Sequence, residues 1–329
     1  MKIINVSGFG LSGCTSQADF LTDYAGVMGI LSDETRNKSV TLAPYQEFGF
    51  LKCRYTFGGL LIAKLNNSGF EITREQIRSS LKGFMPKQSL ALSVGEELHL
   101  NKRKLLVAEY GEKYADIVDD AVNCLPENIG YLPIDDIIRY LKIAVNCWCE
   151  GIKQLVKHKL TLMPAIKQCD VLGFKNDPPG VYPLLSTLIP NGMTSAILRD
   201  PRDTTFDFNR CYKKEDTIEN IKWHCNHYNW HLNYARKQID VFYDEIKKNY
   251  FVHDFENFIT SSSHRENYLT RMCGAREKVN CYFDASKSIK NIGLYKDKDR
   301  SLVQIIEKEC MEHYDSFKSF LRERELLME

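Results

Sequence analysis

A glycine-rich loop near the beginning of the chain carries residue types that bind phosphate-like anions. Residues 8–16 read G-F-G-L-S-G-C-T-S, which fits the pattern G-x-x-x-x-G-x-[ST]. Glycines let the backbone approach an anion, and the N–H groups at the start of a following helix can bind it. Cys14 stands where nucleotide triphosphatases carry a lysine, so the loop disfavours an ordinary triphosphatase. The simpler interpretation is a glycine-rich turn without a ligand.

Two further charged segments each follow an apolar run that predicts a strand. Residues 199–203 read R-D-P-R-D and follow T-S-A-I-L, and residues 175–179 read K-N-D-P-P and follow V-L-G-F. A basic segment near the end of the chain, residues 287–296, reads K-S-I-K-N-I-G-L-Y-K. In a parallel sheet, loops that follow strands meet at one edge, where the ligands of such sheets bind.

Together these segments resemble the sulfotransferases that use 3'-phosphoadenosine 5'-phosphosulfate (PAPS). The match rests first on the S-G-x-T-S loop and on R-D-P-R-D after a later strand. The resemblance implies that the loop cradles the 5'-phosphosulfate and that Arg199 binds the 3'-phosphate. The loop residues that would take part are Gly10, Leu11, Ser12, Gly13, Cys14, Thr15 and Ser16.

Residues for the transfer step come from two further matches. Residues 175–179 resemble the K-T-H-x-P segment of cytosolic members, which implies that Lys175 stabilises charge on the bridging or leaving oxygen. Asp177 stands at the position of the family's base histidine, and its alternative role is to form a turn before two prolines. Glu47 in Y-Q-E-F-G-F resembles the base of the K-E-x-x-F-F segment in glycosaminoglycan sulfotransferases, the alternative being an exposed loop carboxylate.

The segment N-I-G-L-Y-K near the C-terminus is similar to the closing segment of bacterial sulfotransferase domains. This similarity implies that Lys287 and Lys290 contact the 3'-phosphate and that Tyr295 contacts the adenine. Charge-assisted hydrogen bonds to a phosphate contribute roughly 1.5 to 3 kcal/mol each. A solvated lysine-rich loop is the alternative.

Two positions depart from the family pattern. Leu11 replaces a lysine or arginine of many members, and Asp207 replaces the serine that usually follows the 3'-phosphate arginine by eight positions. A carboxylate opposite a phosphate is repulsive. Either Asp207 points away from the site, or the donor is not PAPS, or catalysis has been lost.

Three histidines share one face of a predicted helix, which raises the question of a metal. His224, His227 and His231 have the spacing i, i+3 and i+7. The interleaved tryptophans and tyrosine favour an aromatic packing helix, and no H-E-x-x-H pattern is present. We therefore expect no metal.

The predicted elements alternate between strands and helices. Strands are expected at residues 2–6, 39–43, 171–174 and 194–198, and a helix at residues 18–24. Residues 72–162 have helical periodicity, whereas 241–246 and 251–258 read as packing segments without chemistry. The sequence therefore predicts an α/β protein with a three-layer P-loop-type fold, a central parallel sheet and a helical insertion at about 72–162, within one domain of residues 1–329.

Composition restricts the class of protein. The 329 residues include 44 basic and 43 acidic side chains, so the formal charge is +1 and nucleic acid is not expected as the main partner. No long apolar run or signal peptide is visible, and the 11 cysteines are scattered, so we expect reduced thiols in a cytoplasmic chain without a transmembrane segment.

These inferences predict a PAPS-dependent sulfotransferase that modifies a hydroxyl or amine, with a carbohydrate as the favoured acceptor and no metal requirement. One alternative is a P-loop phosphotransferase, against which Cys14 counts. The other is a catalytically inactive nucleotide-binding or scaffold protein, which Leu11 and Asp207 favour. The sequence leaves the acceptor and the oligomeric state open.

Overall fold

The computed structural model describes residues 2–9, 13–30, 59–67, 69–83, 112–113, 115–160, 170–175, 183 and 192–328. The chain divides into two units. The first consists of Met1–Ser32, Cys169–Thr187 and Asn191–Glu329. The second consists of Asp33–Gln168 and Leu188–Pro190.

A parallel sheet forms the centre of the first unit. Within the described residues its six strands are β1 (Lys2–Gly8), β2 (Val27–Ile30), β3 (Val171–Lys175), β4 (Gly192–Leu198), β5 (Tyr250–Asp254) and β6 (Leu327–Met328). Their order is β2-β3-β1-β4-β5-β6, and every neighbouring pair is parallel. The carboxyl ends of all these strands therefore lie at one edge, with β1 between β3 and β4.

The described helices are α1 (Cys14–Thr22), α2 (Gly59–Asn66), α3 (Arg74–Gly83), α4 (115–123), α5 (Ile134–Leu160), α6 (Pro201–Cys211), α7 (Ile218–Ile246), α8 (Phe255–Thr260), α9 (Ser262–Cys273), α10 (Ala285–Ser288) and α11 (Arg300–Glu323). Of these, α2 to α5 belong to the second unit. No described helix is both long and apolar enough to cross a bilayer.

Helices cover the sheet on both faces. Apolar side chains of α1, α8 and α9 form one buried cluster with Ile4, Val6 and Ile197 of the sheet. A separate cluster joins α6, α7 and α11, and Phe317 of α11 meets Phe9 edge-on with 5.5 Å between ring centroids. Burial on both sides explains why the central strands are largely apolar runs instead of alternating patterns.

Local capping fixes where the helices after β4 and β5 begin. The Asp200 carboxylate accepts a hydrogen bond of 2.8 Å from the N–H of Arg202, and Pro201 at the first helical position needs no N–H partner. The Asp254 carboxylate accepts one of 3.3 Å from the N–H of Asn257. At most two residues therefore separate each helix from the strand before it, which holds the connecting residues at the carboxyl edge of the sheet.

The second unit is helical in its described part. A capping box opens α3, because the Thr73 N–H donates to Gln76 and the Gln76 N–H donates to Thr73 at 2.8 and 3.2 Å. The Arg78 guanidinium of α3 lies 2.9 Å from the Asp119 carboxylate of α4. Apolar side chains of α3, α4 and α5, among them Trp148, are buried.

Most elements predicted from sequence are confirmed where the structure describes them. The strands at 2–6, 171–174 and 194–198 are β1, β3 and β4, and the early helix begins at Cys14. The helical periodicity within 72–162 corresponds to α3, α4 and α5, while the single-domain description stays a prediction. The strand predicted at 39–43 lies outside the described residues.

Three strands differ from the sequence-based expectation, and one of them, β2 at Val27–Ile30, lies where no strand is predicted. The pattern predicts simple packing segments at 251–258, but these residues form most of β5 and the start of α8. β6 near the C-terminus is only two residues long and pairs with β5. The α/β class with a central parallel sheet is thus confirmed.

Of the three histidines on α7, His224 and His231 are buried, whereas His227 is exposed. His224 Nδ1 lies 3.0 Å from the Thr205 hydroxyl, and the rings of His227 and His231 are 4.1 Å apart. Burial and the nearby His227 lower the pKa of both His224 and His231 to about 3. Within the described residues, no group of three or more His, Cys, Asp or Glu side chains is arranged to hold a metal ion.

Buried neutral histidines make the stability pH-dependent. His224 and His231 stay neutral in the folded state but take up protons near pH 6.5 when unfolded, so stability is present above pH 6.5 and is lost as the pH falls toward about 3. Protonation of each of these histidines in the unfolded state should lower the free energy of unfolding by about 2 kcal/mol between pH 7 and pH 5. Urea denaturation at the two pH values measures this loss. His224→Asn should lessen this loss, and His313→Asn at an exposed position should not. Equal pH dependence in both variants and the parent would contradict the assignment.

Candidate functional site

The carboxyl edge of the sheet collects several of the residues singled out from the sequence. Arg199 directly follows β4, and Lys175 is the last residue of β3, in register with Val6 of β1. The loop after β1 leads to Gly13 and α1. Five predicted site residues lie outside the described residues, namely Gly10, Leu11, Ser12, Glu47 and Asp177.

Gly13 begins α1 in a left-handed conformation with φ of +95°. A Cβ atom at this position would overlap the Phe255 ring of α8, so only glycine fits here without a shift. The first turn of α1 has no side-chain cap. Its backbone therefore begins at the strand edge in the way that an anion-binding helix terminus requires.

The three residues after Gly13 have different environments. The Cys14 side chain is 4 % exposed and belongs to the core cluster with Ile4 and Phe255, so its thiol faces the core. Thr15 is exposed, and the Ser16 hydroxyl lies 2.9 Å from the Ser288 hydroxyl. Of the predicted contacts, Thr15 and Ser16 supply hydroxyl groups at this end of α1, whereas Cys14 could contribute only its backbone.

Arg199 is buried within a set of protein partners. Its side chain is 1 % exposed, and the guanidinium lies 2.6 Å from the Asp207 carboxylate of α6. It also donates a hydrogen bond of 2.5 Å to the carbonyl of Asn291, and its charge lies 4.9 Å from the centre of the Phe255 ring. The same aromatic ring therefore contacts both Gly13 at the start of α1 and Arg199 after β4.

Asp207 binds two arginines. Its second oxygen accepts a hydrogen bond of 2.6 Å from Arg210, one turn further along α6, and Arg210 also donates to the Asn291 side chain at 2.9 Å. The Asp207 carboxylate therefore faces Arg199, the residue that the resemblance assigns to the 3'-phosphate. Arg210 was not singled out from the sequence.

The C-terminal segment closes over α6. The Asp203 carboxylate accepts hydrogen bonds from the N–H groups of Gly293 and Tyr295 at 2.7 and 3.4 Å. Burial raises the pKa of Asp203, although the Gly293 N–H and the Arg199 charge act in the opposite direction. The Tyr295 ring is stacked under the Arg202 guanidinium at 4.1 Å. Residues 288–295 therefore contact Arg199 through Asn291 and α1 through Ser288.

Lys287 and Lys290 lie on the outer surface of this segment. Lys287 is in α10, its side chain is 80 % exposed, and its Nζ lies 3.7 Å from Asp284. Lys290 is in the 3-10 turn Ile289–Asn291 and is also exposed. Neither is fixed in a buried position, but Lys290 directly precedes Asn291, the residue that contacts Arg199 and Arg210.

A second buried polar network, which the sequence did not reveal, lies at the ends of β4 and β5. The Glu256 carboxyl accepts a 3.3 Å hydrogen bond from the Asp200 N–H, and Lys318 of α11 binds Asp254. Burial and the adjacent Asp254 raise the pKa of Glu256 to about 8. Burial alone would raise the pKa of Asp254, but hydrogen bonds from Glu256 and Lys318 lower it. The two shifts have opposite directions, so Glu256 is the carboxyl group of the pair that keeps its proton near neutral pH.

No family model, curated protein or solved structure matches the chain.

The Gly13–Phe255 contact generates a stability prediction. Gly13→Ala should combine backbone strain with a clash, and should lower the unfolding free energy by about 2 kcal/mol or more. Gly274, with φ of +79° and no atom within 4 Å of the position that a Cβ would take, provides the control because Gly274→Ala adds strain alone. Thermal unfolding should rank Gly13→Ala clearly below Gly274→Ala, and Phe255→Leu should partly rescue the former. Equal melting temperatures would refute the contact.

Proposed function

We propose that the chain is a sulfotransferase that moves a sulfuryl group from PAPS to a hydroxyl or amine acceptor. The observation that carries the proposal is the convergence of three segments that are far apart in sequence. The start of α1, Arg199 and residues 288–295 meet at the carboxyl edge of the sheet, linked by Phe255, Asn291 and the Ser16–Ser288 contact. A chance resemblance of these segments to the family motifs does not by itself predict that they contact one another in the fold.

The strand order supports a P-loop-type architecture for the first unit. The connection from β1 to β2 runs toward one side of the sheet, and the later connections run toward the other. Because parallel crossovers are right-handed, the helices after β1 and β4 lie on opposite faces. In parallel sheets ligands bind at the strand ends where the connections change direction, and Gly13 and Arg199 follow these two strands.

The residues fit the two ends of the donor to different degrees. At the 5' end, the uncapped start of α1 with the Thr15 and Ser16 hydroxyls suits a phosphosulfate, which needs several hydrogen-bond donors and no metal. At the 3' end, Arg199 and Arg210 offer two guanidinium groups, but the Asp207 carboxylate already binds both. Binding of a 3'-phosphate therefore requires Asp207 to release them.

In the transfer step, the acceptor oxygen or nitrogen forms a bond to sulfur while the bond between sulfur and the bridging phosphate oxygen breaks. The acceptor loses a proton to a base, and the leaving phosphate gains negative charge. Lys175, the last residue of β3 and thus at the same sheet edge as the end of β1, is proposed to stabilise that charge. Asp177 and Glu47 are the proposed bases, and a carbohydrate is the preferred acceptor.

A second candidate function follows from the ion pair itself. If Asp207 permanently occupies Arg199 and Arg210, the chain binds a nucleotide without a 3'-phosphate or serves as an inactive scaffold. The observation that favours this candidate is the burial of Arg199, whose side chain is only 1 % exposed. A phosphotransferase remains the weaker alternative, because Cys14 faces the core and offers no cation to a phosphate.

Removal of the Asp207 carboxylate should distinguish the sulfotransferase from the scaffold and the phosphotransferase. Asp207→Ser should strengthen binding of adenosine 3',5'-bisphosphate relative to AMP by about tenfold or more, because a phosphate replaces the lost anion between two arginines. Isothermal titration of both nucleotides measures the difference. Asp216→Ser, which removes a carboxylate bound to Lys298 instead, is the control and should change neither affinity.

Adding Arg199→Gln to Asp207→Ser should abolish the gain. A variant that binds both nucleotides equally would contradict the 3'-phosphate site, and binding of neither would favour the scaffold. Binding of ATP with magnesium alone would favour the phosphotransferase.

The transfer step has its own test in a sulfuryl-transfer assay with a panel of hydroxyl and amine acceptors. Lys175→Met should reduce turnover by about 100-fold or more and should change nucleotide affinity little, since the charge that it stabilises develops only in the transition state. Asp177→Asn and Glu47→Gln should identify the base by a comparable loss in one of them. Near-parent turnover in Lys175→Met would remove this lysine from the mechanism.

A further inference from the structure

Two tryptophans of α7 are only half buried. Trp223 and Trp230 leave 48 % and 46 % of their surface exposed, whereas Trp148, the third tryptophan of the chain, is buried in the second unit. The sequence predicts an aromatic packing helix, yet these two side chains are not part of the buried core. Because they are seven positions apart, they lie on one face of α7, about 10 Å apart along its axis.

Further rings join the two tryptophans into one continuous surface. The His227 ring contacts both of them and is nearly parallel to both, with centroids 5.1 Å from Trp223 and 6.2 Å from Trp230. The Phe208 ring of α6 lies 5.5 Å from Trp223 and 4.6 Å from the exposed Tyr212. The aromatic face is the name used below for this surface, which consists of Phe208, Tyr212, Trp223, His227 and Trp230. Contiguous exposed surface of this kind marks binding sites, whereas single exposed rings are ordinary.

Polar groups that suit a ligand rich in hydroxyl groups border the aromatic face. Asn226 and Asn233 are exposed, and each follows a tryptophan by three positions, which makes amide and indole neighbours on the helix surface. An amide both donates and accepts hydrogen bonds. The Lys214 ammonium lies 4.7 Å from the centre of the Trp223 ring and adds a further donor. Residues 212–234 contain three lysines and three acidic residues, so this part of the chain has no net formal charge.

We propose that the aromatic face binds a neutral polysaccharide. The C–H groups of a sugar ring pack against the exposed part of an indole, and the sugar hydroxyls exchange hydrogen bonds with the bordering amides. The separation of Trp223 and Trp230 fits two rings of one glycan chain and is too long for a single sugar. Nucleic acid and anionic membranes are disfavoured as occupants, since both require a clear excess of basic residues.

This binding site is independent of the sulfuryl transfer proposed above. The aromatic face contains none of the residues assigned to the donor or to the transfer step, and it is defined by the ring contacts of α6 and α7 alone. Glycan binding is therefore measured without any nucleotide, and its failure and the failure of the transfer are separate results.

The test is calorimetric titration of the native full-length protein with cellohexaose, maltohexaose, mannohexaose and xylohexaose, accompanied by tryptophan fluorescence. We expect at least one of these glycans to bind and to change the emission of the exposed tryptophans. It should bind about tenfold or more tightly than its own monosaccharide, because two linked sugar rings engage two tryptophans. Absence of binding by all four glycans would overturn the proposal.

Variants of the aromatic face locate the binding. Trp223→Ala and Trp230→Ala should each weaken glycan binding about tenfold or more, and Trp230→Tyr, which keeps an aromatic ring, should retain most of the affinity. Tyr131→Ala removes an exposed ring of the second unit and should change nothing. Binding of adenosine 3',5'-bisphosphate should be the same in Trp223→Ala as in the parent. Unchanged glycan affinity in both alanine variants would place the glycan elsewhere and overturn the proposal.

A second copy of the chain is the rival occupant, and sedimentation of the parent protein and of Trp223→Ala detects it. If no glycan binds, and the parent dimerises while Trp223→Ala stays monomeric, the aromatic face is a protein interface and the proposal is wrong. Glycan binding that both alanine variants weaken supports the proposal whatever the oligomeric state. If an alanine variant does not fold, the fluorescence change of the parent and its reduction in Trp230→Tyr still decide.

Discussion

The ion pair between Arg199 and Asp207 is the interaction on which the carboxyl edge of the sheet depends. An arginine that is 1 % exposed must have its charge compensated, because an isolated buried charge costs several kcal/mol. Asp207 supplies that charge, and the Asn291 carbonyl satisfies a further donor of the guanidinium. In this way one side chain after β4 joins the sheet to α6 and to the C-terminal segment.

The same interaction defines the chemistry open to the site. The Asp207 carboxylate lies between the guanidinium groups of Arg199 and Arg210. Two guanidinium groups in this arrangement can also bind a phosphate. An anionic ligand of the proposed kind would therefore compete with Asp207 for the same donors. A buried Arg199 without a negative partner would be strongly unfavourable. A ligand that displaces the Asp207 carboxylate would therefore have to carry negative charge itself.

Sequence reasoning succeeded where a signal is local. The strands β1, β3 and β4 are short apolar runs bounded by turn residues, and the R-D-P segment after β4 contains both the cap and the first residue of α6. β5 was missed because Y-F-V-H-D contains a histidine and an aspartate, yet all five residues are buried in a sheet that is covered on both faces. A two-residue strand such as β6 carries no pattern at all.

The partners of the predicted residues could not be found in this way, because they depend on contacts across the chain. Asp207 lies eight positions after Arg199 in the sequence, which suggests repulsion between its carboxylate and a bound phosphate. The sequence does not show that the two side chains bind each other. Phe255, Arg210 and the Glu256–Asp254 pair carry no motif, and their roles arise only when β5 lies beside β4.

Gly13 shows why a motif and its structural cause have to be separated. The left-handed backbone and the Phe255 ring require glycine at this position whether or not a ligand binds, so this glycine is explained by packing alone. Packing also explains Cys14, whose side chain fills the core. It does not explain the exposed Thr15 beside an uncapped helix start, or the joining of Ser16 to the segment that contacts Arg199. Those hydroxyls, more than the glycines, are the part of the loop that points to an anion.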